Sequence, residues 1–260
     1  MVLVEPRHPG NVGSAARAMQ NFGLRRLVIV NPPAYDPERA RWMAPGCADL
    51  LAQARIVPTL DAALEGVHRA IATTARHRRD TQVVQRPGEV AGAILDDDRV
   101  HAILFGREDT GLTSDEARRA EVLLRIPTTE HASINLAQAV LLVAHTLFEE
   151  GRDRGLAASG RTLAGSGRGK TTAQATKGTR RDRLADLPSI EPAASELLGL
   201  LARVGYLRGN PAAKVRLTAR SALQRARLSV RHVEAIRGMI GRIDWALDHP
   251  DVDWEQTRRR

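Results

Sequence analysis

The 260-residue chain carries one cysteine, Cys47, which rules out a disulfide framework and a cysteine-built zinc site, and this usage fits a reducing cytoplasm. Aromatic residues are almost as scarce. Three Trp, two Tyr and three Phe leave little material for stacking on bases, so any grip on nucleic acid has to rest on arginine and phosphate. Lysine is limited to Lys170, Lys177 and Lys214. No stretch approaches the ~18 apolar residues of a membrane span, and the chain enters Val2-Leu3-Val4 without a basic leader. The expectation is a soluble, unsecreted, cytoplasmic protein with no membrane partner and no metal site.

Two nucleotide signatures are also missing. Gly10 and Gly13 lie near a first turn, but the full Gly-x-Gly-x-x-Gly spacing of a dinucleotide fold is absent. Ala164-Gly-Ser-Gly-Arg-Gly-Lys-Thr171 fits a relaxed phosphate loop, yet such a loop must follow a buried strand and open a helix. Neither flank qualifies: Ala157 to Leu163 makes a poor strand and Thr172 to Gly178 a poor amphipathic helix. A low-complexity basic segment is the simpler reading.

What is present is a core-sized apolar content of 43% and a lopsided charge. Residues 1–150 hold 17 basic against 19 acidic side chains, whereas residues 151–260 hold 22 against 11. A chain that simply favours arginine would not leave its first 150 residues acidic. The distribution fits a catalytic domain followed by an appendage that grips a polyanion.

Over residues 1–150 short apolar runs alternate with amphipathic stretches. Strands are expected at Val2–Val4, Leu27–Val30, Ile56–Val57, Ala70–Thr73, Ala102–Phe105 and Val122–Ile126. Helices are expected at Val12–Phe22, Ala48–Ala54, Leu60–Leu64, Val90–Leu95, Ser114–Arg119 and Asn135–Glu149. That alternation predicts an α/β fold with a parallel sheet. Residues 151–187 are rich in Gly, Ser, Thr and Arg and read as a flexible basic linker, and residues 188–260 read as a small all-α domain. Its helices are expected at Ala193–Val204, after the Asn210-Pro211 start signal, and from about Ser229 to Leu247.

Three blocks stand at the ends of apolar runs, just before helix-like segments: Asn11-Val-Gly-Ser-Ala-Ala-Arg17, Phe105-Gly-Arg-Glu-Asp-Thr-Gly-Leu112, and Ile126-Pro127 with Ser133-Ile-Asn-Leu-Ala-Gln138. In α/β proteins such turns converge on a ligand. Each residue also has a plain structural alternative. Asn11 could cap a helix, Arg17 could be a solvated surface charge, Glu108 a simple loop carboxylate, and Ser133 and Asn135 the caps of the helix near residue 135. The ordered set of three is what these alternatives leave unexplained.

The three blocks resemble the signature motifs of the SPOUT RNA methyltransferases, in the branch that methylates ribose 2′-hydroxyls. With Ala72-Thr-Thr-Ala-Arg76 they are most similar to the TrmJ-like tRNA methyltransferases. The likeness covers nearly all of residues 1–150 and extends more weakly to Arg225-Ala-Arg-Leu228 and Ile236-Arg-Gly-Met-Ile240. It implies a trefoil knot at the end of the first domain, a rare exception to unknotted topology. It also implies S-adenosyl-L-methionine as cofactor, held by Thr73, Thr74, Ala75, Gly106, Ile126, Ala132, Ser133 and Ile134. Ala72 and Thr74 stand where relatives often have Gly and Ser, and Ala132 where a second Ser is common.

The resemblance further implies a catalytic set of Arg17, Ser133, Asn11, Glu108 and Asn135. Methyl transfer to a ribose oxygen must orient the hydroxyl and stabilise developing negative charge. A guanidinium is effectively always protonated, so Arg17 is expected to bind phosphate and polarise the 2′-oxygen while a phosphate or water takes the proton. Similar enzymes are homodimers in which this arginine reaches toward the partner's cofactor pocket. Here Val12–Phe22 would be the interface helix or an ordinary core-facing one.

The implied activity is ribose 2′-O-methylation of tRNA at anticodon-loop nucleotide 32, a cytidine or uridine, with residues 188–260 binding RNA and no DNA partner. Two alternatives stay open: a ribosomal RNA substrate, and an RNA-binding protein that has lost catalysis. Relatives acting on ribosomal RNA more often carry an N-terminal substrate-binding extension, and the intact motif set argues against lost catalysis. Arg76, Arg78 and Arg79 could line an RNA path or form a solvated cluster.

Overall fold

The computed structural model describes residues 1–75, 83–130, 132–156 and 182–251. They fall into two compact units, divided between Ala175 and Thr176. The first unit runs β1 (Val2–Val4), α1 (Pro9–Asn21), β2 (Val28–Val30), α2 (Pro37–Trp42), α3 (Ala48–Ala52), β3 (Arg55–Val57), α4 (Leu60–Ala63), β4 (Arg69–Thr73), β5 (Val83–Gln85), α5 (Pro87–Leu95), β6 (His101–Phe105), α6 (Ser114–Arg118), β7 (Val122–Leu124) and α7 (Leu136–Asp153). The seven strands form one sheet in the order β3-β2-β1-β6-β4-β7-β5. Every pairing is parallel.

Both sheet faces are covered, which is why the strands read as continuous apolar runs. Leu3, Ile29, Ile71, Ile103, Phe105 and Leu124 alternate onto one face and pack with Val12, Ala16 and Met19 of α1, Val90 of α5 and Val140, Val143 and Leu147 of α7. On the opposite parity Val2, Val4, Ala70, Ala72, Ala102, Leu104 and Leu123 are buried too. α1 lies against α7, where Phe22 meets the His145 ring edge-on with centroids 5.3 Å apart.

Two elements exceed the expectation from sequence. α2 buries only Ala40, too little for a periodic signal, although Asp36 caps it by accepting from the amides of Glu38 and Arg39 at 3.0 and 3.2 Å. α1 and α2 touch at Gly13, where a Cβ would collide with the Ala40 carbonyl. β5 is a three-residue edge strand with Val83 and Val84 exposed, too short for alternation to register.

At the amino ends of β4 and β6 sits a cluster of charge. Asp97 accepts from Arg99 Nε at 2.8 Å and pairs with Arg69 at 3.4 Å, while Glu121 takes Arg69 at 3.3 Å. His101, whose side chain is buried beside Asp97, is pushed down to about 4 by burial, which outweighs the attraction of that carboxylate.

In the second unit the described elements are three helices, α8 (Leu187–Arg203), α9 (Ala212–Arg225) and α10 (Val230–Asp248). α8 starts earlier than the sequence suggests, because Asp186 caps it through the Ser189 amide at 3.1 Å and Pro188 suits its first turn. Pro192 sits inside it. Ala185, Ile190, Ala193 and Val233 form a small core. Arg203 pairs with Asp244 and Asp248, both at 2.5 Å, tying α8 to α10. Most of the basic segment expected at 151–187 and the Ala164–Thr171 motif lie outside the described residues. Among the described residues, no helix is long and apolar enough to cross a membrane.

Candidate active site

The carboxyl ends of β4, β6 and β7, three adjacent strands of the sheet, open into a cavity of about 330 Å³. Thr73, Thr74, Ala75, Gly106, Ile126, Ala132, Ser133 and Ile134 all line it. Phe105, Arg107, Asp109, Thr110, Gly111, Leu112, Leu124, Leu136 and Ala139 complete the wall. The Thr73 hydroxyl donates to the Leu104 carbonyl at 2.9 Å, and the Thr74 amide donates to the Leu124 carbonyl at 3.0 Å, so the end of β4 is fixed to both neighbours.

The loop after β6 folds back tightly. A Cβ at Gly106 would collide with the backbone of Gly111 and Leu112, and Gly111 itself has φ +67°, a left-handed conformation that favours glycine. Arg107 clamps this loop. Its Nε donates to Glu5 at 2.9 Å, and its two terminal nitrogens each reach Glu116 at 2.9 Å. That bond holds Glu5 below the ordinary carboxylate range. For Glu116 burial opposes ionisation, but Arg107 and the Thr113 amide outweigh it. In the sequence Arg107 stands only as one member of the Phe105–Leu112 block, and its spacing to Glu116 carries no signal by itself.

A second feature joins all three motif blocks. Asn11 Nδ2 donates to Glu108 Oε1 at 2.8 Å, and Asn135 Nδ2 donates to Asn11 Oδ1 at 3.1 Å. The Glu108 carboxylate also accepts the amides of Arg7 at 2.9 Å and His8 at 3.2 Å. α1 begins at Pro9 with His8 as its N-cap, and neither the His8 side chain nor an acid in the first turn serves that end. Glu108 supplies the missing negative charge from another loop. Burial resists its ionisation, but the Asn11 bond and the two amides hold its carboxyl below the usual range. Glu108 is thus a fixed anion, poorly suited to taking a proton.

The capping alternatives divide. Asn11 lies inside α1 and is not its cap. Asn135 is the N-cap of α7, with Oδ1 accepting from Ala137 at 2.9 Å and Gln138 at 3.4 Å, while its amide nitrogen holds Asn11. Ser133 is exposed at the cavity wall. Arg17, six residues along α1 from Asn11, is exposed and lies outside the described lining of its own chain's cavity. Arg76, Arg78 and Arg79 lie outside the described residues.

The wall chemistry is mixed in a useful way. Leu124, Ile126, Ile134 and Leu136 offer apolar surface, Thr73, Thr74, Thr110 and Ser133 offer hydroxyls, and Asp109 offers one carboxylate. A mostly apolar wall with a few convergent polar groups is the usual make-up of a small-molecule site. No group of three or more metal-ligating side chains occurs among the described residues.

Comparison with known proteins matches residues 1–145 to the SpoU rRNA Methylase family. The chain is 41% identical over 149 residues to the tRNA (cytidine/uridine/adenosine-2′-O-)-methyltransferase TrmJ of Pseudomonas aeruginosa, covering 56% of this chain and 58% of that protein. It thus spans somewhat over half the length of that relative. It is 31% identical over 256 residues to the tRNA (cytidine/uridine-2′-O-)-methyltransferase TrmJ of Yersinia pestis, covering 96% of this chain and 93% of the relative. Among solved structures, TrmJ from Z. mobilis superposes with a TM-score of 0.69 at 29% identity, covering 94% of this chain and 97% of the other. A probable methylase family protein from Haemophilus influenzae gives 0.56 at 26% identity, covering 95% and 96%.

Proposed function

The chain belongs to the SpoU rRNA Methylase family, and on that footing we propose that it is an S-adenosyl-L-methionine-dependent tRNA methyltransferase acting in the cytoplasm on the ribose 2′-hydroxyl of anticodon-loop nucleotide 32. The observation that carries this reading is the Asn135–Asn11–Glu108 chain of hydrogen bonds, which ties the three motif blocks together beside a cavity lined by the eight expected cofactor positions.

In this reading S-adenosyl-L-methionine supplies a methyl group activated by its sulfonium charge. Thr73, Thr74, Ala75, Gly106, Ile126, Ala132, Ser133 and Ile134 hold it, many of them through backbone groups. Arg17 binds a substrate phosphate and polarises the 2′-oxygen, and Ser133 orients the hydroxyl. Asn11, Glu108 and Asn135 act as positioning residues, since their polar atoms are occupied with one another and with helix termini. A positioned phosphate or water accepts the proton, because the donors around Glu108 hold its carboxyl below the usual range and a guanidinium offers no acceptor.

The same reading includes a homodimer and a knot. Arg17 lies outside the described lining of its own cavity, and Leu141 and Leu142 on α7 remain exposed in a single chain, which supports a partner contributing Arg17 to this site. Insertion of β7 between β4 and β5, which are consecutive strands in the sequence, supports a threaded chain. The basic excess after residue 150, shared between residues 151–187 and the helical unit, supports RNA binding by this part of the chain. Calorimetry with S-adenosyl-L-methionine and methyl transfer to tRNA and ribosomal RNA offered side by side test the proposal. Cofactor binding with transfer to tRNA is expected. No binding at millimolar cofactor overturns the enzyme reading, and transfer to ribosomal RNA alone overturns the substrate.

A further inference from the structure

The loop between β1 and α1 places a cation against one residue of the cavity wall. Arg7 Nη2 lies 3.1 Å from Asp109 Oδ2, and Asp109 is part of the cavity wall. The two side chains are 52% and 47% exposed, so their pairing is solvent-facing and weak. Arg7 is nevertheless well positioned: its own amide is fixed to Glu108 at 2.9 Å, within the same network that joins Asn11 to Asn135. Arg107, which does line the wall, is committed to Glu5 and Glu116 and only 12% exposed. Asp109 keeps local partners besides Arg7, since its Oδ1 accepts the Thr110 amide at 2.7 Å and hydroxyl at 3.2 Å.

We propose that Arg7 is a phosphodiester-binding residue for the RNA substrate, and that Asp109 is its resting counter-ion, exchanged for an RNA phosphate when substrate docks. The inference rests on the reading of this site as an RNA methyltransferase centre. A carboxylate at the mouth of a site that receives a polyanion repels its substrate unless a cation neutralises it, and a weak exposed pair can be opened by a competing phosphate. Anchoring of the Arg7 backbone limits where the guanidinium can swing, so the contact would set the approach of the RNA relative to Asn11 and the cavity.

The test uses the full chain with tRNA and S-adenosyl-L-methionine, comparing wild type, Arg7→Ala, Arg7→Lys, Asp109→Asn and the Arg7→Ala/Asp109→Asn double variant. Arg7→Ala is expected to raise KM for tRNA about 3- to 10-fold, with the loss in KM more than in kcat, and to reduce the salt slope of RNA binding by roughly one counter-ion. Arg7→Lys is expected to recover part of that affinity. Asp109→Asn is expected to act in the opposite direction, lowering KM, and the double variant to resemble Arg7→Ala. If Arg7→Ala and Asp109→Asn impair tRNA binding alike, the pair is a structural latch and the inference fails. If Asp109→Asn weakens cofactor binding while KM for tRNA stays unchanged, Asp109 belongs to the methyl donor and the inference fails as well. Absence of transfer by the wild-type protein overturns the underlying methyltransferase reading instead.

Discussion

At the scale of single residues, each motif position has a different kind of work. Arg17 is the solvent-facing cation on α1, whereas Asn11, Glu108 and Asn135 are locked together. Arg17→Ala is therefore expected to lower kcat about 10²- to 10³-fold with tRNA saturating and cofactor affinity unchanged, measured by steady-state methyl transfer; wild-type kcat would remove Arg17 from the mechanism. Asn135→Ala removes both the α7 cap and the anchor of Asn11. It is expected to cost about 1 kcal/mol in urea unfolding as well as activity.

The buried His101 predicts a pH dependence of stability. Its pKa falls from 6.5 to about 4 on folding, so the unfolded chain binds a proton that the native chain refuses throughout that window. Stability is then complete above pH 6.5 and declines as pH drops toward 4, by about 1.4 kcal/mol per pH unit once well below 6.5. Asp97, also held low in the fold, continues the decline at more acidic pH. Urea midpoints of wild type and His101→Gln should diverge between pH 7 and 5, with the variant the flatter of the two.

At the scale of elements, α1 is the organising piece. It carries Asn11 and Arg17, packs on α7, and approaches α2 closely enough that Gly13 has no room for a side chain. Gly13→Ala should cost about 1–3 kcal/mol by overpacking, read as a lowered Tm. Strands β1, β2, β4, β6 and β7 and helix α7 were legible because apolar runs and a 3.6-residue period each have a direct physical cause in burial. α2 and β5 were not, since one buries a single alanine and the other is a short edge with exposed valines. The site shows the same division. The cavity positions follow from motif blocks contiguous in sequence, and all eight line one wall. The clamp of Arg107 on Glu5 and the pairing of Arg7 with Asp109 join residues about a hundred positions apart, and no local pattern announces such contacts.

For the whole molecule, charge and architecture divide the labour. The first unit holds its own core and the cavity, while the excess of basic residues lies beyond residue 150. A chain ended after residue 156 should keep cofactor affinity within a few fold, yet bind tRNA more weakly and with a flatter dependence on salt. Equal tRNA affinity and salt slope in the shortened and full chains would place RNA recognition in the first unit alone. Mass spectrometry of nuclease-digested tRNA, after incubation with the full chain and S-adenosyl-L-methionine, shows where the methyl group goes. One new 2′-O-methyl group on the cytidine or uridine at nucleotide 32 is expected; a methyl on a base, at another nucleotide, or none at all overturns the proposed chemistry.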